Sequence, residues 1–196
     1  FIFNQLPAAD LRLLLMLVVG TVPAVVFGLA LHHFGMEWLR STKIIGWNIL
    51  LFGILLWIAD RFQPSKRSIA DMTYKDAFLI GLAQCLAMIP GTSRSGITIT
   101  ASRFLRLERR EAARFCMLLS VPAIAGAGLL VAAEIWQSGN YENLHYALSG
   151  IGYSFIASIA AIFIMMKWLK NYTFLPFVIY RVVLGIFLLL HSYGYI

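Results

Sequence analysis

One short stretch of the sequence, Pro90-Gly91-Thr92-Ser93-Arg94-Ser95-Gly96, combines residue types that bind anions. Its arginine, its three hydroxyls and the hydroxyl of Thr98, one helical turn later, are all hydrogen-bond donors. Its two glycines let the backbone come close to a ligand. If a helix begins at Ser95 or Gly96, its free N–H groups point to the same place. Together these features predict a phosphate or diphosphate site.

The composition indicates that this stretch lies in a membrane protein. Sixty per cent of the 196 residues are hydrophobic, 13% are charged, and the mean hydropathy is +0.80. A soluble domain carries roughly a quarter charged residues, so this chain has too few to cover a surface that faces water. Residues 13–31, 115–133 and 147–166 carry no charge at all, and each run approaches the ~20 residues that cross a bilayer core.

The apolar pattern predicts an all-α integral membrane protein with one polytopic domain over residues 1–196. About five transmembrane helices are expected, over 11–31, 44–59, 115–133, 147–166 and 174–194. The apolar segments 78–89 and 97–101 are too short to cross, so the region 78–102 is either one interrupted crossing or a re-entrant helical hairpin. Small residues, namely Gly126, Ala127 and Gly128, are expected to allow close helix approach.

Positive charge distinguishes between these two arrangements. A re-entrant hairpin places twelve basic residues on one side and only Arg40 and Lys43 on the other, with Arg94 and Arg181 inside the membrane. A single crossing gives five against nine, which the positive-inside rule disfavours. We therefore predict a hairpin that enters from the cytoplasm and is wrapped by protein or lines a wet cavity. The twelve are Arg12, Arg61, Lys66, Arg67, Lys75, Arg103, Arg106, Arg109, Arg110, Arg114, Lys167 and Lys170.

The formal net charge of +7 is explained by this topology, because most basic residues flank the predicted spans. Nucleic acid is therefore not an expected partner. The surrounding membrane is the expected environment.

Arg94 is the residue that the bilayer tolerates least. An arginine at membrane depth costs about 2.5–3.5 kcal/mol or more, so it is expected to have a partner. The alternative is a proline-glycine helix break whose serines cap the next helix and whose arginine extends to the membrane surface. Four nearby hydroxyls favour the anion site, because intramembrane charges are usually functional.

Other polar residues have less specific interpretations. Gln84 fits an interhelical hydrogen bond as well as it fits a place in the wall of the site. Arg181 is predicted to extend to the cytoplasmic surface. Four arginines with helical spacing are predicted to form a solvated stripe that orients the protein: Arg103, Arg106, Arg110 and Arg114.

The acidic residues leave the predicted site incomplete. All nine lie at span ends or in loops, away from Arg94: Asp10, Glu37, Asp60, Asp71, Asp76, Glu108, Glu111, Glu134 and Glu142. Cleavage of a diphosphate generally needs a metal ion or a general base, and no metal ligands are predicted in this chain. The sequence opens without an initiator Met or a signal peptide. We therefore expect that an N-terminal segment is missing, and that residues 1–196 alone bind an anionic headgroup weakly without turning it over.

The sequence resembles the undecaprenyl-diphosphate phosphatases of the bacitracin-resistance type along nearly its whole length. The specific part is Gly81-Leu82-Ala83-Gln84-Cys85-Leu86-Ala87-Met88-Ile89-Pro90-Gly91-Thr92-Ser93-Arg94-Ser95-Gly96. Weaker matches are Asp71-Met72-Thr73-Tyr74-Lys75-Asp76-Ala77-Phe78, Gly20-Thr21-Val22-Pro23-Ala24 and Leu175-Pro176-Phe177-Val178-Ile179-Tyr180-Arg181.

The resemblance implies a multi-pass enzyme of the bacterial inner membrane. It would hydrolyse undecaprenyl diphosphate to undecaprenyl phosphate, which recycles the carrier lipid for peptidoglycan synthesis and cell shape and confers bacitracin resistance. The implied fold is an inverted repeat whose two re-entrant segments meet near the bilayer middle and face the periplasm. The implied cofactor is a divalent metal ion, Mg²⁺ or Ca²⁺, with its ligands on a glutamate-rich motif that this chain lacks. A homodimer is left open.

The implied functional residues fall on the 90–96 stretch and its neighbours. Ser93, Arg94 and Thr98 are predicted to be catalytic, while the predicted substrate-binding residues are Gly91, Thr92, Ser95, Gly96 and Gln84. The alternative function is a transporter or flippase for an anionic polyprenyl lipid or phosphate, since re-entrant helices also build transporter sites. A non-catalytic scaffold leaves Arg94 unexplained.

Overall fold

The structure, a computed structural model, describes residues 7–34, 41–64, 66–138 and 144–195. These residues are almost entirely helical. Five helices are long and apolar enough to cross a membrane, which confirms the predicted all-α membrane fold and its five spans. They are α1 (Ala8–Phe34), α2 (Thr42–Phe62), α5 (Arg109–Ser138), α6 (Leu144–Trp168) and α7 (Leu175–Ser192). Two short helices lie between α2 and α5: α3 (Tyr74–Cys85) and α4 (Arg94–Phe104).

The short helices form the predicted hairpin. They contain 12 and 11 residues, or about 18 and 17 Å, well short of the roughly 30 Å hydrocarbon core. The segments outside the hairpin bond to each other, because the Arg67 N–H donates to the Arg106 carbonyl at 3.1 Å and the Glu108 N–H to the Arg67 carbonyl at 2.8 Å. The chain therefore enters and leaves the hairpin on the same side of the helix bundle. The hairpin extends a few residues beyond the predicted 78–102.

A capping box explains why α3 begins at Tyr74. The Asp76 N–H donates to the Thr73 hydroxyl, and the Thr73 N–H and hydroxyl donate to the Asp76 carboxylate at 2.8 and 2.9 Å. The Arg67 guanidinium lies 2.6 Å from the same carboxylate. Burial acts to raise the pKa of Asp76, but the bonds from Arg67 and Thr73 outweigh it and lower the pKa below its ordinary value.

The full-length helices enclose the hairpin by close backbone contacts. α3 runs along α1, α4 packs on α2 and α5, and α2 runs along α7. At the α1–α3 crossing a Cβ on Gly81 would lie 2.2 Å from the Gly20 carbonyl oxygen, and at the α2–α7 crossing a Cβ on Gly185 would lie 3.2 Å from the Gly46 carbonyl oxygen. Such contacts pack membrane helices tightly.

The prediction of close approach at residues 126–128 was wrong. A Cβ added at Gly126 or Gly128 meets no atom of the described residues within 4 Å. The sequence showed that small residues occur in a membrane-spanning helix, but it did not show at which positions the helices cross. Gly126 and Ala127 instead line a cavity that is described with the candidate site.

Arg103 corrects the prediction of a solvated arginine stripe. Its side chain is fully buried, and its Nε lies 3.1 Å from an Asp60 carboxylate oxygen. The Arg109 Nε bonds to the same oxygen at 2.8 Å, and the Phe174 N–H donates to the other at 3.3 Å. Asp60 therefore joins the ends of α2 and α4 to the starts of α5 and α7. The remaining arginines of the stripe, Arg106, Arg110 and Arg114, are exposed as predicted.

Candidate functional site

The loop between α3 and α4 has a backbone that few residues can adopt. α3 ends in a 3-10 turn, Leu86–Met88, and the loop then passes through φ angles of +89° at Gly91 and +67° at Ser93. Glycine is needed at the first position for a second reason, because a Cβ there would lie 2.5 Å from the Ile45 carbonyl oxygen of α2. Serine at positive φ costs on the order of 1–3 kcal/mol, and strain of this kind is concentrated at functional sites.

Ser93 forms the N-cap of α4, which begins at Arg94, one or two residues before the predicted start at Ser95 or Gly96. Its Oγ accepts a hydrogen bond from the Gly96 N–H at 3.3 Å and lies 3.5 Å from the Ser95 Oγ. Both serine side chains are exposed. The first N–H groups of α4 and two serine hydroxyls thus meet at one place, as an anion site requires.

Arg94 lies where two cavities meet. One has a volume of about 680 Å³ and lies between α1, α3 and α5, with Gln84, Gly28 and Gly126 in its wall. The other, of about 490 Å³, lies between α4, α5, α6 and α7 and includes Ser95. The half-buried Arg94 side chain makes no hydrogen bond or ion pair with any residue that the structure describes. Because a charge at membrane depth needs a partner, the position of Arg94 points to a ligand.

Two further predicted residues carry buried polar atoms without a partner among the described residues. Gln84 is 3% exposed and Thr92 is fully buried, yet the Gln84 Nε2 and the Thr92 Oγ1 have no hydrogen-bond partner. Such atoms are costly unless they are satisfied by a ligand or water. Gln84 shares its cavity with Arg94, so the geometry favours its place in the wall of the site over an interhelical hydrogen bond.

Thr98 acts on the site through Arg94. Its side chain is 1% exposed, and its hydroxyl donates to the Arg94 carbonyl at 2.8 Å and approaches the Ser95 carbonyl at 3.3 Å. The hydroxyl proton is therefore used within α4. This geometry gives Thr98 a positioning role for the backbone of Arg94 and Ser95.

Arg181 corrects the prediction that its side chain extends to the cytoplasmic surface. Its Nη2 donates to the Gly91 carbonyl at 3.1 Å and to the Thr92 carbonyl at 3.0 Å. Its Nη1 also lies near Gly96, where an added Cβ would come within 3.2 Å of it. The last helix therefore holds the loop by its carbonyl groups.

Asn48 is a second residue of the site that sequence reasoning missed. Its Nδ2 donates to the Pro90 carbonyl at 2.9 Å, so α2 holds the carbonyl that directly precedes the two held by α7. An asparagine inside a predicted span was the available signal, because polar side chains within membrane helices usually bond across helices.

The described residues do not fit a divalent metal ion. No three His, Cys, Asp or Glu side chains come together in the described part of the chain, and no acidic or His side chain lines either cavity at Arg94. Mg²⁺ and Ca²⁺ prefer several oxygen ligands, often carboxylates, whereas this loop presents donors. The arrangement can bind and stabilise negative charge, and no step is assigned through a metal ion.

Comparison with known proteins agrees with the family resemblance seen in the sequence. The family model of the bacitracin resistance protein BacA matches residues 2–187. The chain is 42% identical over 183 residues to a protein of Roseobacter denitrificans named undecaprenyl-diphosphatase, covering 93% of this chain and 68% of that relative. A protein of Ruegeria sp. with the same name is 41% identical over 194 residues, covering 98% of this chain and 73% of the relative. An undecaprenyl-diphosphatase 1 of Rhodospirillum rubrum is 45% identical over 93% of this chain and 65% of the relative.

Proposed function

The chain belongs to the bacitracin resistance protein family, and we infer that it hydrolyses undecaprenyl diphosphate to undecaprenyl phosphate and inorganic phosphate. This activity returns the lipid carrier to cell-wall synthesis and confers resistance to bacitracin. The single observation that carries the assignment to a site is Arg94, a cation without a protein partner among the described residues, set beside serine hydroxyls where two cavities meet.

The proposed chemistry follows from what the loop presents. Arg94 offers a planar fork to the phosphate oxygens, and the α4 N–H groups with Ser93 and Ser95 hold the rest of the diphosphate. The oxygen of water adds to the terminal phosphorus and the bond to the bridging oxygen breaks, so the terminal group leaves as inorganic phosphate. One proton of the water stays on that phosphate and the other passes to solvent, while the bridging oxygen keeps the electron pair and the negative charge on undecaprenyl phosphate. Donors placed beforehand stabilise this charge as it develops.

We assign these residues to binding and charge stabilisation, with Gln84 and Thr92 as further donors and Gly91 and Gly96 as positions of close backbone approach. Activation of the attacking oxygen is assigned to none of them. The divalent cation that the family resemblance implies stays a proposal, and its ligands would be carboxylates other than the described ones. Loss of activity with a chelator, and recovery with Mg²⁺ or Ca²⁺, would support it.

The experiment that tests the function is phosphate release from undecaprenyl diphosphate by purified protein in detergent. We expect release by the full-length wild type and its loss in full-length Arg94→Lys, with Arg106→Lys as the matched control on an exposed arginine. For residues 1–196 alone the expectation stays weak binding without turnover. Equal rates in all three proteins would contradict the assignment. The transporter alternative has no support among the relatives, which carry the name of a diphosphatase.

The protein is a multi-pass membrane protein, and we propose that it lies in the inner membrane with its site facing the periplasm. Both ends of the hairpin are on the side that carries the basic residues. The 680 Å³ cavity is lined by Leu29 and Leu130, which lie in the halves of α1 and α5 far from the basic ends. These positions support a site that opens away from the cytoplasm.

Cysteine labelling in intact cells tests this orientation. A label that cannot cross the membrane should miss cysteines placed at Lys75 and Glu108 and reach one placed at Lys43; all three native side chains are exposed. Labelling at Lys75 and Glu108 from opposite faces would contradict the re-entrant hairpin.

A homodimer stays a prediction that light scattering of the purified protein would check.

A further inference from the structure

A groove with a basic end and apolar walls runs between α5 and α6. Its first part, a cavity of about 420 Å³, has Arg110 and Arg114 at one end, followed by Met117, Ile162 and further apolar side chains. Met117 and Ile162 also line the 490 Å³ cavity at Arg94, so the two cavities adjoin. The groove therefore leads from the basic side of the protein into the membrane interior.

The two arginines at the mouth of the groove are available to a ligand. Arg110 and Arg114 are exposed, one helical turn apart on α5, and neither bonds to any residue that the structure describes. Their neighbour Arg109 is already paired with Asp60. The carboxylate of Glu111, which also lines the cavity, accepts a hydrogen bond from the Ile69 N–H at 3.2 Å. The mouth thus keeps a positive charge.

The described side chains of α5 and α6 leave the groove between them unfilled. α6 makes few contacts with α5 and none of its described residues in 149–164 is buried. Ile162 is 41% exposed although it faces the groove. An apolar gap of this kind inside a bilayer loses dispersion contacts unless a lipid chain fills it.

We propose that an anionic glycerophospholipid of the surrounding membrane binds in this groove. Its phosphate lies between Arg110 and Arg114, and one acyl chain lies along Met117 and Ile162. The length of the groove fits a lipid whose headgroup lies at the membrane surface. Arg110 and Met117 are seven residues apart, about 10 Å along α5, which is less than the roughly 15 Å half-thickness of the hydrocarbon core. Basic pockets between helices on the cytoplasmic side bind anionic lipid headgroups in this way.

The test compares lipid binding to purified protein in neutral detergent, by native mass spectrometry. Dioleoylphosphatidylglycerol should bind more tightly than dioleoylphosphatidylcholine of the same chains. The double variant Arg110→Gln/Arg114→Gln should weaken binding of the phosphatidylglycerol roughly tenfold to thirtyfold, since each basic residue near an anionic headgroup contributes to binding. Arg106→Gln, another exposed arginine at the same end of the protein but outside the groove, should leave the affinity unchanged.

A second variant tests the groove independently of charge. Ile162→Trp fills the apolar part and should also weaken phosphatidylglycerol binding while it leaves both arginines in place. The proposal is overturned if the two lipids bind equally, or if Arg106→Gln weakens binding as much as the double variant does. It is also overturned if Ile162→Trp binds normally, or if undecaprenyl phosphate displaces the phosphatidylglycerol at equal concentration, which would assign the groove to the product.

Discussion

The Nη2 atom of Arg181 lies 3.0 Å from the carbonyl oxygen of Thr92, although the two residues are 89 positions apart in the chain. The same atom bonds to the Gly91 carbonyl at 3.1 Å. Because a guanidinium only donates, these bonds fix the loop by its acceptors and leave its donors for a ligand. The proposed diphosphate site therefore depends on the last helix as well as on the hairpin.

Arg181→Lys should lower the rate of phosphate release about tenfold to hundredfold. A lysine keeps the charge but cannot reproduce the geometry of the guanidinium, and hydrogen bonds from charged groups contribute about 1.5–3 kcal/mol each. The rate and the melting temperature of purified protein would be measured against Arg106→Lys. A normal rate with a lowered melting temperature would restrict Arg181 to a role in stability.

Arg94→Lys should lose most activity for the same geometric reason, with little change in the melting temperature. The Arg94 side chain has no hydrogen-bond or ion-pair partner among the described residues, so its replacement removes no such bond to them. Ser93→Ala should reduce the rate less, because the serine offers one hydroxyl. Turnover close to wild type in correctly inserted Arg94→Lys protein would rule out the forked contact.

The catalytic rate of Thr98 variants should depend on whether the side chain keeps a hydroxyl rather than on its size. Thr98→Val removes the bond to the Arg94 carbonyl and is expected to reduce the catalytic rate, whereas Thr98→Ser keeps the bond and should restore it. A positioning role predicts an effect on kcat with a smaller effect on KM. Equal rates in the valine and serine variants would contradict that role.

Gly91→Ala should destabilise the protein by about 2–4 kcal/mol, from its positive φ and from the clash with Ile45. The matched control is Gly128→Ala, because no atom in the described part of the chain lies within 4 Å of a Cβ at that position. The control should be neutral or stabilise α5 by up to about 1 kcal/mol. Thermal unfolding in detergent measures both variants, and equal melting temperatures would contradict the close approach of Gly91 to α2.

Asp76→Asn should lower the melting temperature at pH 7, since it removes the charge that Arg67 and Thr73 stabilise. The pKa of Asp76 is lower in the folded protein than its ordinary value of 3.8. Its stabilising contribution is therefore complete above that value and is lost as the pH falls below it. The difference between wild type and variant should shrink below about pH 4, and a difference that grows there would contradict this linkage.

The amino-acid sequence by itself predicted the local features of this fold. Five spans followed from runs of apolar residues, and the hairpin followed from runs too short to cross, combined with the distribution of basic residues. The donor-rich loop with Arg94 was visible because glycine, proline, hydroxyls and an arginine interrupt an apolar pattern. Each of these features depends on neighbours in the chain, so periodicity and composition contain the information.

The tertiary structure decided which distant groups meet. The sequence could not pair Arg181 with the Gly91 and Thr92 carbonyls, or bury Arg103 against Asp60, because each contact joins helices far apart in the chain. The energetic cost of burying a charge is evident from the residue type, but the group that compensates it depends on how helices pack. The same reason applies to glycines, since only the crossing of α1 and α3 distinguishes Gly81, which packs against a carbonyl, from Gly126, which lines a cavity.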